Sequence, residues 1–278
     1  MNRPGNPQTL FPIPDVQSGA DARQFAIDQV GIKGLKYPLL FADADGHAQP
    51  TIADCNVYVA LPDDRKGTHM SRLVALLESR SENGQPPLTV ANFQGLLDAL
   101  VVLLEAPGGR IELAFPFFIR KTAPVSGVAS LLDYQVRISA EIAAGRYTQT
   151  LTVAVPVTAL CPCSKEIAEY GAHNQRSTIT ITVRPHEPIY LTELIRVAEE
   201  EGSSELYGLL KRADEKYVTE RAYDNPKFVE DLVRDVATRL AADPRIEGFV
   251  VEAENFESIH NHSAYARIAR NWKPETGN

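Results

Sequence analysis

The chain has 278 residues, of which 44% are hydrophobic and 23% are charged, a balance typical of globular proteins that fold in water. This composition excludes collagen-like, low-complexity and wholly disordered chains. The formal net charge of -8 is opposite in sign to that of proteins that bind nucleic acids without sequence preference, so we expect no nucleic-acid partner. The length fits one large domain or two modest ones.

Targeting signals and cysteine usage indicate the compartment. No apolar run approaches the roughly 18–20 residues that a membrane-spanning helix needs, and residues 1–19 lack a signal peptide. We therefore expect a chain that is complete as it stands, cytoplasmic and without a membrane partner. Three cysteines, Cys55, Cys161 and Cys163, are too few for a disulfide scaffold. Two of them lie one residue apart, which favours metal or thiolate chemistry.

The first half of the chain alternates between strand and helix patterns. Apolar residues at every second position predict a strand at residues 54–61. Helical spacing at residues 70–78 and 90–104 predicts two helices, and strict alternation returns at residues 111–119 and 136–142.

The second half repeats these patterns. Alternation predicts strands at residues 151–155 and 176–185, and helical spacing follows at 192–201. A better-marked helix is predicted to start at Asn225, whose side chain can cap it and which is followed by a proline at the first helical position. Residues 249–256 predict a final strand.

We interpret this order as strand, strand, helix, helix, strand, strand occurring twice, which predicts an α+β fold of two related modules. Residues 1–30 are rich in Pro, Asn, Gln and Asp and predict an irregular arm. We place the first module at residues 31–135 and the second at 136–278. No residue-level repeat accompanies the repeated order, so the duplication is an inference about structure.

The most informative segment is 161–177, which reads Cys-Pro-Cys-Ser-Lys-Glu-Ile-Ala-Glu-Tyr-Gly-Ala-His-Asn-Gln-Arg-Ser. Ser164 can cap a short helix ended by the glycine of this segment, so that Cys161 and Cys163 lie beside its positive end, which stabilises thiolates. His173 follows, and a turn can bring it back to the sulfurs. Thiolate and imidazole together suit Zn²⁺ or a similar cation. Buried cysteines with a capping serine are the alternative interpretation.

Further ligands or proton carriers are predicted in residues 254–262, which read Glu-Asn-Phe-Glu-Ser-Ile-His-Asn-His. His260 and His262 would face the same side of an extended backbone. Glu257 precedes them by three residues. Two histidines at this spacing, with a carboxylate and after a predicted strand, favour a functional site over an ordinary solvent-exposed surface.

Other charged residues carry weaker signals. Glu215 lies in a charged run, and Glu230 lies off the centre of an apolar helical stripe, so each indicates a solvated face. Four cations lie near turns or helix ends, where they could meet phosphate: Lys66, Arg72, Lys165 and Arg176. The sequence has no Gly-rich phosphate loop and no G-x-S-x-G elbow, which disfavours a P-loop NTPase or a nicotinamide Rossmann enzyme.

Taken together, the motifs resemble GTP cyclohydrolase type IB, also called GTP cyclohydrolase IV, of the tunnelling-fold superfamily. The resemblance rests on six runs in order along nearly the whole chain: residues 13–17, 30–34, 65–72, 161–177, 215–231 and 254–262. The runs Cys-Pro-Cys-Ser-Lys and Gly-Ala-His-Asn-Gln-Arg-Ser are the most specific.

This resemblance implies tandem tunnelling-fold modules, each an antiparallel sheet with paired helices on one face. It implies a homotetramer with active sites between subunits. The implied reaction converts GTP and water to 7,8-dihydroneopterin triphosphate and formate, the first step of folate and pterin biosynthesis. It would use one divalent metal ion per site (Zn, Mn or Fe) and no nicotinamide or flavin.

The resemblance also implies residue roles. The metal positions of the family match Cys161, His173 and Glu215, and Glu257 is a further candidate ligand. A bound divalent ion lowers the pKa of its water, which would supply the nucleophile for C8 of guanine. Besides Cys161 and His173, the candidate catalytic residues are Cys163, His260 and His262, and the two histidines suit the proton transfers that ring opening and closure require.

Candidate substrate contacts follow in the same way. The guanine-anchoring carboxylate of the family matches Glu230. A carboxylate accepts hydrogen bonds from guanine N1–H and the exocyclic amine, which adenine cannot offer, so Glu230 would select the base. Lys165 and Arg176 are candidates for contacts with the triphosphate.

Two alternatives stay open. A nitrile reductase of queuosine synthesis, on the same fold, would use an unmetallated cysteine and a nicotinamide reductant, whereas the Cys-x-Cys pair and the histidines favour a metal. A non-catalytic module would use Cys161, Cys163 and His173 to hold a purely structural ion.

Overall fold

The computed structural model describes Gln17, residues 19–81 and residues 84–272. This part of the chain forms one antiparallel sheet of nine strands, together with six helices. The strands are β1 (Ile27–Ala42), β2 (Ala48–Leu61), β3 (Gly109–Thr122), β4 (Ala129–Ala143), β5 (Arg146–Leu160), β6 (Asn174–Pro185), β7 (Ser204–Glu205), β8 (Ile246–Asn255) and β9 (Ala264–Arg270). The helices are α1 (Met70–Ser81), α2 (Phe93–Leu104), α3 (Pro162–Ile167), α4 (Leu191–Glu201), α5 (Arg212–Asp224) and α6 (Val229–Ala242). None of these helices is long and apolar enough to cross a bilayer.

The strands are arranged in the order β1-β2-β3-β4-β5-β6-β8-β9, and the short β7 pairs with β5. Alternation along each strand separates a core face from a polar face. In β6, for example, Ile179, Ile181 and Val183 are fully buried, and the intervening threonines point to the other face. Helices α1 and α2 pack on the first four strands, and α4 and α6 pack on the later ones. One face of the sheet is therefore covered by helices.

The predicted α+β class and most predicted elements are confirmed. The predicted strands coincide with β2, β3, β4, β5, β6 and β8. The helices predicted at residues 70–78, 90–104 and 192–201 coincide with α1, α2 and α4, although α2 begins at Phe93. These are the elements in which burial of one face dictates a regular apolar period.

The helix predicted to start at Asn225 begins at Val229 instead, so the predicted cap is wrong. Asn225 lies at the end of α5, and its side-chain amide donates to the carbonyl of Gly202 at 3.0 Å. The start of α6 is set by Asp231, whose Oδ2 accepts the backbone N–H of Phe228 at 2.9 Å. The asparagine therefore ends one helix rather than starting the next.

Two edge strands are absent from the sequence prediction. Strand β1 begins at Ile27, inside the stretch assigned to an irregular arm. Residues 1–16 and 18 of that predicted arm lie outside the described residues. Strand β9 is short, contains three alanines and is largely half-exposed, so its alternation is weak. An edge strand buries little side-chain surface, and its sequence is correspondingly less patterned.

The element order fits two related halves. Two strands, two helices and two strands run from β1 to β4, and β5, β6, α4, α6, β8 and β9 repeat this order around the shorter elements. The boundary placed between residues 135 and 136 falls inside β4. The hairpin turn between β4 and β5 separates the halves, at Ala144 and Gly145, whose φ angles of 50° and 74° suit a tight turn. The division into modules stays an interpretation of this order.

Two buried carboxylates join the halves. Asp43, at the end of β1, is 8% exposed and accepts hydrogen bonds from the N–H and hydroxyl of Thr192 at 2.9 and 2.7 Å, at the start of α4. Asp214 of α5 is fully buried and accepts the N–H groups of Val125 and Ser126, both at 2.8 Å, after β3. Burial disfavours its charged form, but the hydrogen bonds outweigh this and hold the pKa of Asp214 well below its usual value.

A buried lysine makes a third connection between the halves. Lys121 of β3 is 8% exposed, and its Nζ lies 2.7 Å from Glu199 Oε1 and 2.5 Å from Glu205 Oε2. The Tyr134 hydroxyl donates to the same Glu199 oxygen at 2.6 Å. Burial opposes ionisation of Glu205, yet the hydrogen bond from Lys121 prevails and lowers the pKa of Glu205. This network packs the β3–β4 hairpin against α4 and β7.

Candidate active site

Cys161 and His173 are brought together by the ladder between β5 and β6. The last register pair of these strands is Leu160 with Asn174. One residue beyond it, the Cys161 N–H donates to the carbonyl of His173 at 3.2 Å. The two candidate ligands therefore extend from adjacent backbone positions at the end of the sheet, although eleven residues lie between them in sequence.

Ser164 fixes the turn that contains this pair. Its hydroxyl donates to the Cys161 carbonyl at 3.1 Å and accepts the His173 N–H at 3.1 Å. Its own N–H donates to Cys161 Sγ at 3.5 Å. One serine thus holds the backbones of both residues and directs a donor at the sulfur.

The sequence prediction for the small helix needs two corrections. Cys161, not Ser164, occupies the capping position of α3, because the helix already starts at Pro162, where a missing N–H costs nothing. The helix ends at Ile167, and Gly171, with φ of 127°, lies in the turn that follows it. The expectation that the sulfur of Cys161 lies at the start of this helix is confirmed.

The ring of His173 is oriented by three polar neighbours. Its Nδ1 lies 2.8 Å from Gln175 Oε1, 3.3 Å from Ser258 Oγ and 3.9 Å from Glu257 Oε2. The side chains of His173 and Glu257 are only 14% and 13% exposed. An amide oxygen at Nδ1 favours the tautomer that is protonated there, which leaves the lone pair of Nε2 for a cation or a substrate proton.

The other predicted metal ligands do not converge on this pair. In the described part of the chain, no three His, Cys, Asp or Glu side chains lie close enough together to hold a metal ion. Glu215 lies in the first turn of α5, beside the buried Asp214. Glu257 lies on the Nδ1 side of His173, where it orients the ring. Cys161 and His173 are chemically suited to Zn²⁺, Mn²⁺ or Fe²⁺, as two donors of a larger set.

His260 and His262 lie in the bent segment between β8 and β9. Their rings stack with centroids 5.1 Å apart and an interplanar angle of 20°. The predicted side-by-side placement is therefore correct, although the backbone is bent rather than extended. Both rings are exposed, and Ser258 of the same segment contacts His173. The segment therefore lies against the Cys161–His173 pair.

The remaining predicted site residues lie around this region without forming one contact group. Cys163 is exposed on α3. Lys165 Nζ donates to the carbonyl of Tyr223 and lies 4.3 Å from the centroid of its ring, so this lysine joins α3 to α5. Arg176 of β6 and Glu230 in the first turn of α6 have exposed side chains.

Sequence reasoning missed two contributors to the pair and gave a third, Ser164, a different role. Gln175 and Ser258 orient the His173 ring, and Ser164 joins the two backbones instead of capping the helix. Only Gln175 had a signal available, since it follows His173 by two residues at the start of β6. The role of Ser258 depends on a contact between segments 85 residues apart, which no local pattern reports.

Comparison with known proteins decides the family. The model of the type I GTP cyclohydrolase FolE2 family matches residues 13–266. The chain belongs to this family. A protein named GTP cyclohydrolase FolE2 from Thiobacillus denitrificans is 58% identical over 260 residues, which are 94% of this chain and 95% of the relative. One of the same name from Paraburkholderia xenovorans is 60% identical, over 94% of this chain and 96% of the relative.

Solved structures identify the fold. Uricase from Arthrobacter globiformis superposes with a TM-score of 0.50 at 8% sequence identity, over 90% of this chain and 95% of that chain. At this identity the likeness concerns the fold alone. It confirms the tunnelling fold implied by the sequence motifs of this FolE2 family member.

Proposed function

We propose that this protein is a GTP cyclohydrolase that opens the imidazole ring of guanine at C8 and forms 7,8-dihydroneopterin triphosphate and formate. The observation that carries the proposal is the Cys161–His173 pair, joined by backbone hydrogen bonds in a chain of the FolE2 family. Membership of this family favours the cyclohydrolase over both the nitrile reductase and the non-catalytic module. The product would enter folate or pterin synthesis.

The proposal includes one divalent ion, Zn, Mn or Fe, held by Cys161, His173 and Glu215. When bound, such an ion supplies Lewis-acid chemistry that makes hydroxide available at neutral pH. Cys161 offers a sulfur beside a backbone N–H, and His173 offers Nε2 with its ring fixed from the Nδ1 side. Glu215 is assigned from the family match, and its carboxylate would have to approach the pair when the ion binds.

The other residues have roles toward the substrate. Ring opening, sugar rearrangement and ring closure need proton transfers, and the exposed stacked pair His260 and His262 is suited to them. Cys163 lies beside the pair on α3. Glu230 would accept the N1–H and amine protons of guanine, and Lys165 and Arg176 are the candidate triphosphate contacts.

We also propose a cytoplasmic homotetramer with its active sites between subunits. Exposed side chains at Arg176 and Glu230 are consistent with a pocket that a second subunit completes. Sedimentation of the purified protein would test this state: a monomer at working concentration that retains full activity would contradict it.

The decisive assay uses the purified full chain with GTP and added Mn²⁺ or Zn²⁺. We expect a product that fluoresces as a pterin after oxidation, with one formate released per GTP. Cys161→Ala and His173→Ala should abolish both signals, whereas His47→Ala, in the exposed β1–β2 turn, should leave them unchanged. Activity that survives Cys161→Ala and a chelator would refute the mechanism.

The reductase alternative predicts a different result. A covalent thioimide on Cys161, detected by mass spectrometry after incubation with a nitrile substrate and a nicotinamide, would favour it if the protein carried no metal. We expect no such adduct.

A further inference from the structure

The buried face of β6 changes from apolar to polar toward the candidate active site. Ile179 and Ile181 of this face are fully buried, and the next two positions on it are Ser177, also fully buried, and Gln175. Polar side chains in a core destabilise the fold unless they are hydrogen-bonded. The contact with His173 accounts for Gln175. Ser177 lies two residues further along the strand, so a different contact accounts for its place in the core.

The partner of Ser177 is a second buried polar side chain, Asn255. The Ser177 hydroxyl donates to Asn255 Oδ1 at 2.7 Å, and Asn255 is only 3% exposed. The two residues also face each other in the ladder between β6 and β8, where they form the terminal register pair. Strand β8 ends at Asn255. The buried hydrogen bond therefore lies at the point where the chain leaves the sheet.

The chain that leaves the sheet here, residues 256–263, carries His260 and His262, and we call it the histidine segment. It contains neither helix nor strand. Seven of its eight residues are exposed, among them Phe256 and Ile259, which are 47% and 65% exposed. Burial of apolar side chains therefore contributes little to the position of this segment.

Polar contacts with the region around the start of β6 hold the histidine segment instead. The Phe256 N–H donates to the carbonyl of Arg176 at 3.0 Å, directly beside the buried hydrogen bond. Two residues later, Ser258 Oγ lies 3.3 Å from His173 Nδ1. The direction of the segment is therefore set at Asn255, and its first three residues run to His173.

We propose that Ser177 and Asn255 are positioning residues, which hold the histidine segment against the Cys161–His173 pair. A hydrogen bond fixes the direction of the groups that it joins, whereas apolar contacts are non-directional. The polar pair therefore aligns the end of β8 in a way that two apolar side chains would not. The consequence for proton transfer by His260 and His262 rests on the proposed function, but the anchoring of the segment does not.

Amide hydrogen exchange of the full chain, resolved to single residues by fragmentation and mass spectrometry, tests the anchoring. In Ser177→Ala we expect the Phe256 amide to exchange about 2- to 10-fold faster, the factor that corresponds to one lost hydrogen bond. Exchange in the β1–β2 ladder should stay constant. The matched control Thr182→Val removes a contact of 3.1 Å with Thr152 on the other face of the sheet and should leave Phe256 unchanged. Wild-type exchange of Phe256 in Ser177→Ala would overturn the proposal.

A double variant separates positioning from stability. Ser177→Ala/Asn255→Leu replaces both partners by apolar groups, so it should recover the stability that Ser177→Ala loses, as denaturant unfolding would measure. We expect its kcat with GTP to stay about 10- to 100-fold below that of the wild type, with KM little changed, because the histidines are displaced. A kcat that returns to the wild-type value together with the stability would overturn the proposal. If the wild type has no cyclohydrolase activity, the proposed function fails, and hydrogen exchange still decides the anchoring.

Discussion

His173 Nδ1 lies 2.8 Å from Oε1 of Gln175, a residue that is only 7% exposed. Gln175 is the second residue of β6, and His173 lies one residue before that strand begins, so the start of the strand places the two side chains two positions apart. An acceptor at Nδ1 selects the tautomer in which Nε2 can bind a cation.

Gln175→Ala should therefore weaken binding of Mn²⁺ or Zn²⁺ about 10- to 100-fold, the usual effect of removing such an orienting partner. Gln175→Glu, which keeps an acceptor oxygen, should retain most of the affinity. Competition with a chelator of known affinity measures both variants. Equal metal affinity in Gln175→Ala and the wild type would show that the contact does not orient the ring.

The three thiols should differ sharply in reactivity. Burial raises the pKa of Cys55 to about 11, whereas Cys163 is exposed and Cys161 is partly exposed. With iodoacetamide at pH 8, we expect alkylation of Cys163 first, then Cys161, and none of Cys55 until the protein unfolds. Peptide mass spectrometry gives the order. Added Zn²⁺ or Mn²⁺ should slow the reaction of Cys161, and an unaltered rate would speak against Cys161 as a ligand.

Asp214 should make the protein sensitive to acid. Its pKa is lowered in the folded state, so its ionised form contributes stability above its usual value of 3.8, and this contribution is lost as the pH falls below about 4. The free energy of unfolding of the wild type should fall on acidification. Asp214→Asn should be less stable at pH 7 but show a flatter profile from pH 6 to pH 3. Urea titrations at each pH measure the free energy of unfolding, with the exposed Asp63→Asn as control. If this free energy changed with pH equally in the wild type and in Asp214→Asn, the role of Asp214 would be contradicted.

Lys121→Met should strongly destabilise the fold. It leaves the carboxylates of Glu199 and Glu205, 13% and 23% exposed, without their shared cation. Removal of one partner from a buried ion pair typically costs about 3–5 kcal/mol. The matched variant Lys36→Met removes an exposed pair with Asp54 and should cost less than about 1 kcal/mol. Denaturant unfolding of both proteins tests the contrast, and equal losses would mean that burial of Lys121 has no energetic consequence.

Glu230→Gln should impair recognition of guanine if the proposed function is correct. The substitution replaces a charged acceptor by an amide, and a hydrogen bond to a charged group contributes about 1.5–3 kcal/mol. We therefore expect KM for GTP to rise about 10- to 100-fold. Steady-state kinetics would measure this change in KM. The control is Glu187→Gln, a substitution of an exposed residue after β6. A KM that stays at the wild-type value would exclude Glu230 as the base anchor.

The sequence predicted best those elements that bury one face in the core. Ile179, Ile181 and Val183 alternate because one face of β6 is fully buried, so the strand was readable from residue types alone. Asn225 was misread because the same side chain can start a helix or, as here, bond to a carbonyl beside the end of the preceding one. Strand β9 lies at the edge and buries too little to show a period.

The site was predictable only in part, for a related reason. Cys161 and His173 were found because their residue types carry metal chemistry and their motif is specific. Their contact through Ser164 depends on backbone geometry that residue types do not report. The approach of Ser258 to His173 joins distant segments and needed the folded chain.

Asp43 and Asp214 each accept backbone hydrogen bonds from the opposite half of the chain. Asp43 accepts them at the start of α4, and Asp214 accepts them after β3. During synthesis on the ribosome, the loop at Val125 therefore emerges long before the carboxylate that completes it. The first half cannot reach its final energy minimum until residue 214 has left the exit tunnel. A chain that ends at the β4–β5 hairpin should therefore stay incompletely folded, and chaperones and proteases should act on it.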